Sequence, residues 1–354
     1  MHRFAKLVAA STVLLVLAGS FVTSTGSGLS VPDWPTTYGW NMFTFPPSKW
    51  IGGIFYEHGH RLIASTVGFL TIVLAAWLWR AEGRRWVRWL AVAALAAVIA
   101  QGVLGGLTVL FLLPAPISIA HAALAEIFFS LTVALALFTS PGWKAGYGSR
   151  PPDPAGVDDR ILRRVAAATT LLIYVQILAG ATMRHTEAGL AIPDFPLMFG
   201  GLLPDHWDPK IAVHFLHRGG AALVAASVAA LSAHVFHHHR RRRELARPAA
   251  LLVVLVATQI SLGAATVLTR LDVWINSLHV VCGALVLTAS LVLALRAWRV
   301  RFAVEPVRPT PDTTTGLARR VRLQADDDRR GVRLQPDPDE DRLRLQPDDP
   351  GARA

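Results

Sequence analysis

Apolar blocks of roughly 20 residues recur eight times along this chain, each long enough to cross a bilayer as a helix. Lipid offers backbone N–H and C=O groups no partner, so such blocks satisfy themselves internally as helices. Of the 354 residues, 53% are hydrophobic and only 17% are charged. An all-α membrane protein follows, with spans expected at about 7–25, 54–79, 89–113, 117–139, 164–183, 211–236, 249–268 and 274–297.

The net charge of +11 raises nucleic acid as a partner, but the placement of the charges excludes it. Arg80, Arg84, Arg85 and Arg88 fill one short loop, Lys144, Arg150, Arg160, Arg163 and Arg164 a second, and Arg240–Arg243 with Arg247 a third. The alternate connections are nearly free of Lys and Arg. That asymmetry puts both termini and the basic loops in the cytoplasm, and the long connections 26–53 and 184–210 outside. Residues 1–20 have the look of a signal peptide, but the repeat described next needs them as a helix. The single cysteine, Cys282, excludes an intrachain disulfide or a cysteine-based metal cluster and reads as a packing residue.

The chain repeats itself. Gly28–Pro35 (GLSVPDWP) matches Gly189–Pro196 (GLAIPDFP), and His60-Arg61 matches His217-Arg218. Gln101, Gly105, Thr108 and His121 match Gln259, Gly263, Thr266 and His279 without a gap. The expected architecture is two parallel four-helix bundles, at 1–140 and 164–302, joined by a cytoplasmic linker at 141–163. Past residue 303 the chain turns Pro- and charge-rich, and Val321–Asp326 recurs at Val332–Asp337 and Leu343–Asp348. Such a tail, 303–354, lacks the apolar content for a core and reads as disordered.

Ionisable groups within membrane segments are functional hypotheses by default. His60, His121, His217 and His279 each fall on an even-numbered span, roughly 6–9 Å below its outer end. Two imidazoles at one depth on facing helices, His60 with His121 and His217 with His279, suit the axial positions of a heme. Arg61 and Arg218 follow the first ligand of each half and suit heme propionates or a snorkelling role. Glu57 shares a helical face with His60, whereas His214 stands at the matching place in the second half. A carboxylate beside one heme alone suggests a general base, or a counter-charge, at a reacting heme. His58 is expected at a loop or rim, His185 is unassigned, and His234 and His237–His239 read as a solvated signal of orientation. Gln101 and Gln259 are expected to form interhelical hydrogen bonds.

At these residues the chain resembles the heme A synthase family. The resemblance covers about residues 1–300 and rests on Glu57…His60-Arg61, His121, His217-Arg218, His279 and the two Gly-Leu-x-x-Pro-Asp-x-Pro segments. It implies an oxidoreductase of the plasma membrane that converts heme O to heme A by successive hydroxylations of a ring methyl to a formyl group. It further implies heme O as substrate at His60 and His121, a heme b cofactor at His217 and His279, and a heme O synthase and a terminal oxidase as partners. Some members carry a cysteine pair in the first outer loop; residues 26–53 contain none. From the residues alone, a diheme electron-transfer subunit and a non-catalytic heme carrier remain alternatives.

Overall fold

A computed structural model of the chain describes residues 1–145 and 159–299. The helices are α1 His2–Ser24, α2 Gly53–Ala81, α3 Arg85–Leu110, α4 Ala115–Phe138, the short α5 Pro141–Ala145, α6 Arg160–His185, α7 Pro209–His238, α8 Arg243–Leu268 and α9 Val273–Trp298. Among the described residues, all but α5 are long and apolar enough to cross a membrane, which makes eight. The expected tail at 303–354, and the linker residues 146–158, lie outside the described residues.

The ends of the helices differ from expectation for local reasons. α3 stops at Leu110 because Leu112 and Leu113 take positive φ (59° and 61°), turning the chain before Pro114. α8 begins at Arg243, six residues ahead of the expected span, and runs through Pro248. Proline removes the hydrogen bond that the Glu244 carbonyl would receive, and Arg296 Nη1 donates to that carbonyl at 2.8 Å instead. Aspartates cap α6, α7 and α9: Asp159 accepts from Leu162 N–H, Asp208 from Lys210 and Ile211, and Asp272 from Trp274 and Ile275.

In each half the helices pack as a ring. α1 touches α2 and α4, α3 touches α2 and α4, and α6 to α9 repeat the pattern. Each ring has its own hydrophobic cluster, one around Val67, Leu74, Ala94, Phe128 and Leu135, the other around Ile173, Val228, Leu252, Val286 and Leu293. The rings meet along α1 with α9, α4 with α6, and α4 with α9, and α4 and α9 are the most covered spans. The described helices accordingly form one compact unit. Small residues face inward, as at Ala91, Ala94 and Ala97 of α3, where they let backbones approach. Phe69, Ile72, Ile99, Leu171 and Val254 are exposed on the outer surface, where lipid would cover them.

Candidate heme sites

The four histidines enter their helices at comparable depth, each roughly two turns from the first residue of α2, α4, α7 or α9. All four are half-buried. The pairing within each half holds in space: His60 lies close enough to His121 to interact with it electrostatically, and so does His217 with His279.

Each imidazole is seated against a glycine of the preceding helix. A Cβ on Gly19 of α1 would lie 2.9 Å from His60 Cε1, and one on Gly180 of α6 would lie 2.9 Å from His217 Cε1. Gly105 of α3 stands in the same relation to His121 (3.4 Å), and Gly263 of α8 to His279 (3.0 Å). A side chain at Gly19 or Gly180 would push the ring, one at Gly263 would meet it tightly, and one at Gly105 would touch it at ordinary contact distance. Buried polar atoms normally find partners, yet Nδ1 of His60, His121 and His279 has none among the described residues. Half-buried rings in fixed seats, three of them with an unpaired Nδ1, fit a heme held by two imidazoles.

The glutamines act on the histidines' helices, as expected. Gln101 Nε2 donates to the His121 carbonyl at 2.7 Å, and Gln259 Nε2 lies 3.3 Å from His279 Nε2. Gln176 does the same for His217, donating to its carbonyl at 2.7 Å.

Above the histidines sit two loops with the same backbone. Asp33 accepts the N–H groups of Tyr38 and Gly39, and Asp194 those of Phe199 and Gly200. Tyr38 and Phe199 have φ of 50° and 55°. Burial pushes the Asp33 carboxyl up, but the Gly39, Thr36 and Tyr38 bonds hold it below the usual range; Gly200 and Phe199 lower Asp194.

Arg61 and Arg218 fasten these loops. Arg61 Nη1 donates to the carbonyls of Asp33 (2.7 Å) and Thr36 (3.0 Å), and Nη2 to Val31 O (2.8 Å) and Glu57 Oε1 (2.7 Å). Both hydrogens on each Nη are therefore engaged, so the expected propionate role finds only Nε–H undirected to the loop. Arg218 holds Leu197, Ile192 and Asp194 carbonyls in the same way, and its Nε lies 3.1 Å from His214 Nε2. Glu57 Oε2 also accepts the Val31 N–H (2.8 Å), and His214 Nδ1 lies 3.2 Å from the Ile192 nitrogen; a neutral imidazole accepts at only one ring nitrogen, so one of the two His214 contacts is a hydrogen bond and the other a close approach. Glu57 and His214 thus stand at matched places beside the arginines, both buried.

His58 corrects the expectation of a rim residue. It is fully buried within the first cap, 3.2 Å from Thr37 Oγ1 and between the rings of Phe45 and Trp50. His185 lies near His121, and its neighbour Arg184 donates to Ser20 O and Ser24 Oγ of α1, tying the two rings together. Sequence reading missed Arg184 and also Glu126, a buried carboxylate on α4 whose Oε2 has no partner among the described residues. Both stand inside apolar spans, which is the signal that could have found them. Cys282 is buried, with Sγ 3.5 Å from Leu255 O.

A family model described as cytochrome oxidase assembly protein (COX15-CtaA) matches residues 2–291. The chain belongs to this family. Its relatives include the heme A synthase of Shouchella clausii, 31% identical over 272 residues, covering 76% of this chain and 87% of the relative. The heme A synthase of Halalkalibacterium halodurans is 29% identical over 297 residues, covering 81% of this chain and 95% of the relative. That of Methylobacterium nodulans is 27% identical over 339 residues, covering 83% and 89%. The matched residues 2–291 of the family model reach from the first of the eight helices into the last and include both histidine pairs.

Proposed function

We propose that this chain is a heme A synthase, a membrane oxidoreductase that converts heme O to heme A by successive hydroxylations of a ring methyl. The observation that carries the reading is the seating of four paired imidazoles against Gly19, Gly105, Gly180 and Gly263. In this reading His60 and His121 hold heme O as substrate, and His217 and His279 hold a resident heme b. The heme b supplies one-electron redox chemistry when bound. The chain's own residues fix the imidazoles, cover the sites with the two loops, and set the local charge.

The two halves differ in what anchors the cap. Both fasten it through an arginine and a helix acceptor, so anchoring is common to them. Only the first half does so with a carboxylate. We assign to Glu57 an electrostatic role: its negative charge, fixed by Arg61 and the Val31 N–H, stabilises positive charge developing on the substrate, or takes up a proton. Arg61 and Arg218 act as fasteners of the caps in this scheme rather than as propionate partners. The protein resides in the plasma membrane with both termini and the basic loops in the cytoplasm and the heme sites toward the outer face. A heme O synthase would supply the substrate and a terminal oxidase would receive the product.

Expression in a host that makes heme O but lacks its own heme A synthase tests the reading. Heme extracted from its membranes should contain heme A, or the hydroxylated intermediate, only when this chain is present. Assembled protein with unaltered heme b and heme O would favour an electron-transfer subunit.

A further inference from the structure

A second cluster of metal-binding side chains lies at the other end of α7, roughly 25 Å along the helix from His217. Asp159 caps α6 with one carboxylate oxygen, Oδ1, which accepts from Leu162 N–H at 2.9 Å. Its other oxygen, Oδ2, faces His234 Nε2 at 2.6 Å and His239 Nε2 at 2.9 Å. The three donor atoms lie within 4.8 Å of one another. His239 is buried, and His234 and Asp159 are half-buried. The reading of these histidines as a solvated signal therefore fails for His234 and His239, while His237 and His238 are exposed.

We propose that Asp159, His234 and His239 form a binding site for a divalent d-block cation of the zinc class, separate from the heme sites. Two imidazole nitrogens and one carboxylate oxygen are a donor set that zinc takes, whereas magnesium and calcium require oxygen ligands. Three protein ligands leave a fourth tetrahedral position for water or for an added side chain. The His238 ring lies 4.6 Å from that of His234, within reach of that role. The carboxylate and the negative end of the α7 dipole offset the charge of Arg240–Arg243. Because Asp159 begins α6 and His239 ends α7, a bound cation clips together the ends of two adjacent helices.

The test uses the purified full chain in detergent, stripped with a chelator and dialysed against Zn2+, with zinc and iron counted separately. Binding of Co2+ gives a second readout, the visible absorption of a tetrahedral ion. Asp159→Asn keeps the capping oxygen while weakening the metal ligand, and His234→Ala/His239→Ala removes two ligands; His237→Ala/His238→Ala is the control. We expect stoichiometric Zn2+, insensitive to excess Mg2+, with affinity falling at least about tenfold in the first two variants. Thermal unfolding of each variant by itself shows whether it is folded. Zinc held equally well by folded Asp159→Asn and His234→Ala/His239→Ala, or lost only from the control pair, overturns the proposal. So does the absence of Zn2+ and Co2+ binding in the wild-type chain.

Discussion

Gly19 and His60 form a matched pair: the imidazole of one helix lies where the missing side chain of the other would be, 2.9 Å from an added Cβ. Gly180 and His217 repeat the relation at the same distance. Gly19→Ala should therefore displace the His60 ring and lower heme occupancy in the first half, at a stability cost of about 1–3 kcal/mol. Gly180→Ala should do so in the second half. Gly59→Ala, whose added Cβ meets nothing within 4 Å, is the control and should leave both hemes in place. Heme content of each purified variant reads this out, and equal loss from both halves in Gly19→Ala would contradict it.

Glu57 and His214 occupy matched anchoring positions, so exchanging them separates anchoring from charge. Glu57→His should preserve the first cap, seen as unchanged resistance of the 26–53 connection to proteolysis, while heme A formation falls by roughly a hundredfold or more. The converse His214→Glu should fold, since Arg218 gains an ionic partner. Full activity in Glu57→His would remove the carboxylate from the chemistry and leave it the role of a fastener.

Arg61 holds the first cap through three of its carbonyl oxygens, those of Asp33, Thr36 and Val31. Arg61→Lys cannot reproduce this planar set of donors. Cleavage within residues 31–45 should accelerate, with a stability loss of about 2–4 kcal/mol. Limited proteolysis in detergent is the measurement, and an unchanged cleavage rate would show that the loop holds without the guanidinium.

Glu82 closes the basic loop after α2, with Arg84 Nε at 2.8 Å and Lys144 at 3.4 Å. The hydrogen bond from Arg84 holds its carboxyl at about 2 against an ordinary 4.5. A lowered folded-state pKa gives stability that is present above pH 4.5 and lost as the pH falls toward 2. Wild type should thus lose on the order of 2–3 kcal/mol across that window that Glu82→Gln does not lose. Thermal unfolding against pH checks this; parallel curves for the two proteins would contradict it.

Much of this was legible in the sequence. The eight helices follow from block length, and the histidine pairs from repetition at matched depth. The glycine seats were not, although Gly105 and Gly263 stood out as matching positions, because which ring meets which glycine depends on helix rotation. The contacts of Arg61 and Arg218 with the loops were hidden because loop carbonyls leave no mark in sequence, where a guanidinium at a membrane surface suits a propionate partner or a snorkelling role alike. His58 was placed at the rim because helical phase alone cannot show that a loop folds over it. Asp159 was hidden for a similar reason: its partners, His234 and His239, lie far along the chain.

The most direct test of the account is the heme inventory of the purified chain in which one pair or the other has lost a ligand. With heme O available, His60→Ala and His121→Ala should retain heme b and lose heme O and its oxidised products, while His217→Ala and His279→Ala should lose heme b. Loss of the same heme from both sets, or loss of heme b with His60→Ala alone, would contradict the division between a substrate half and a cofactor half.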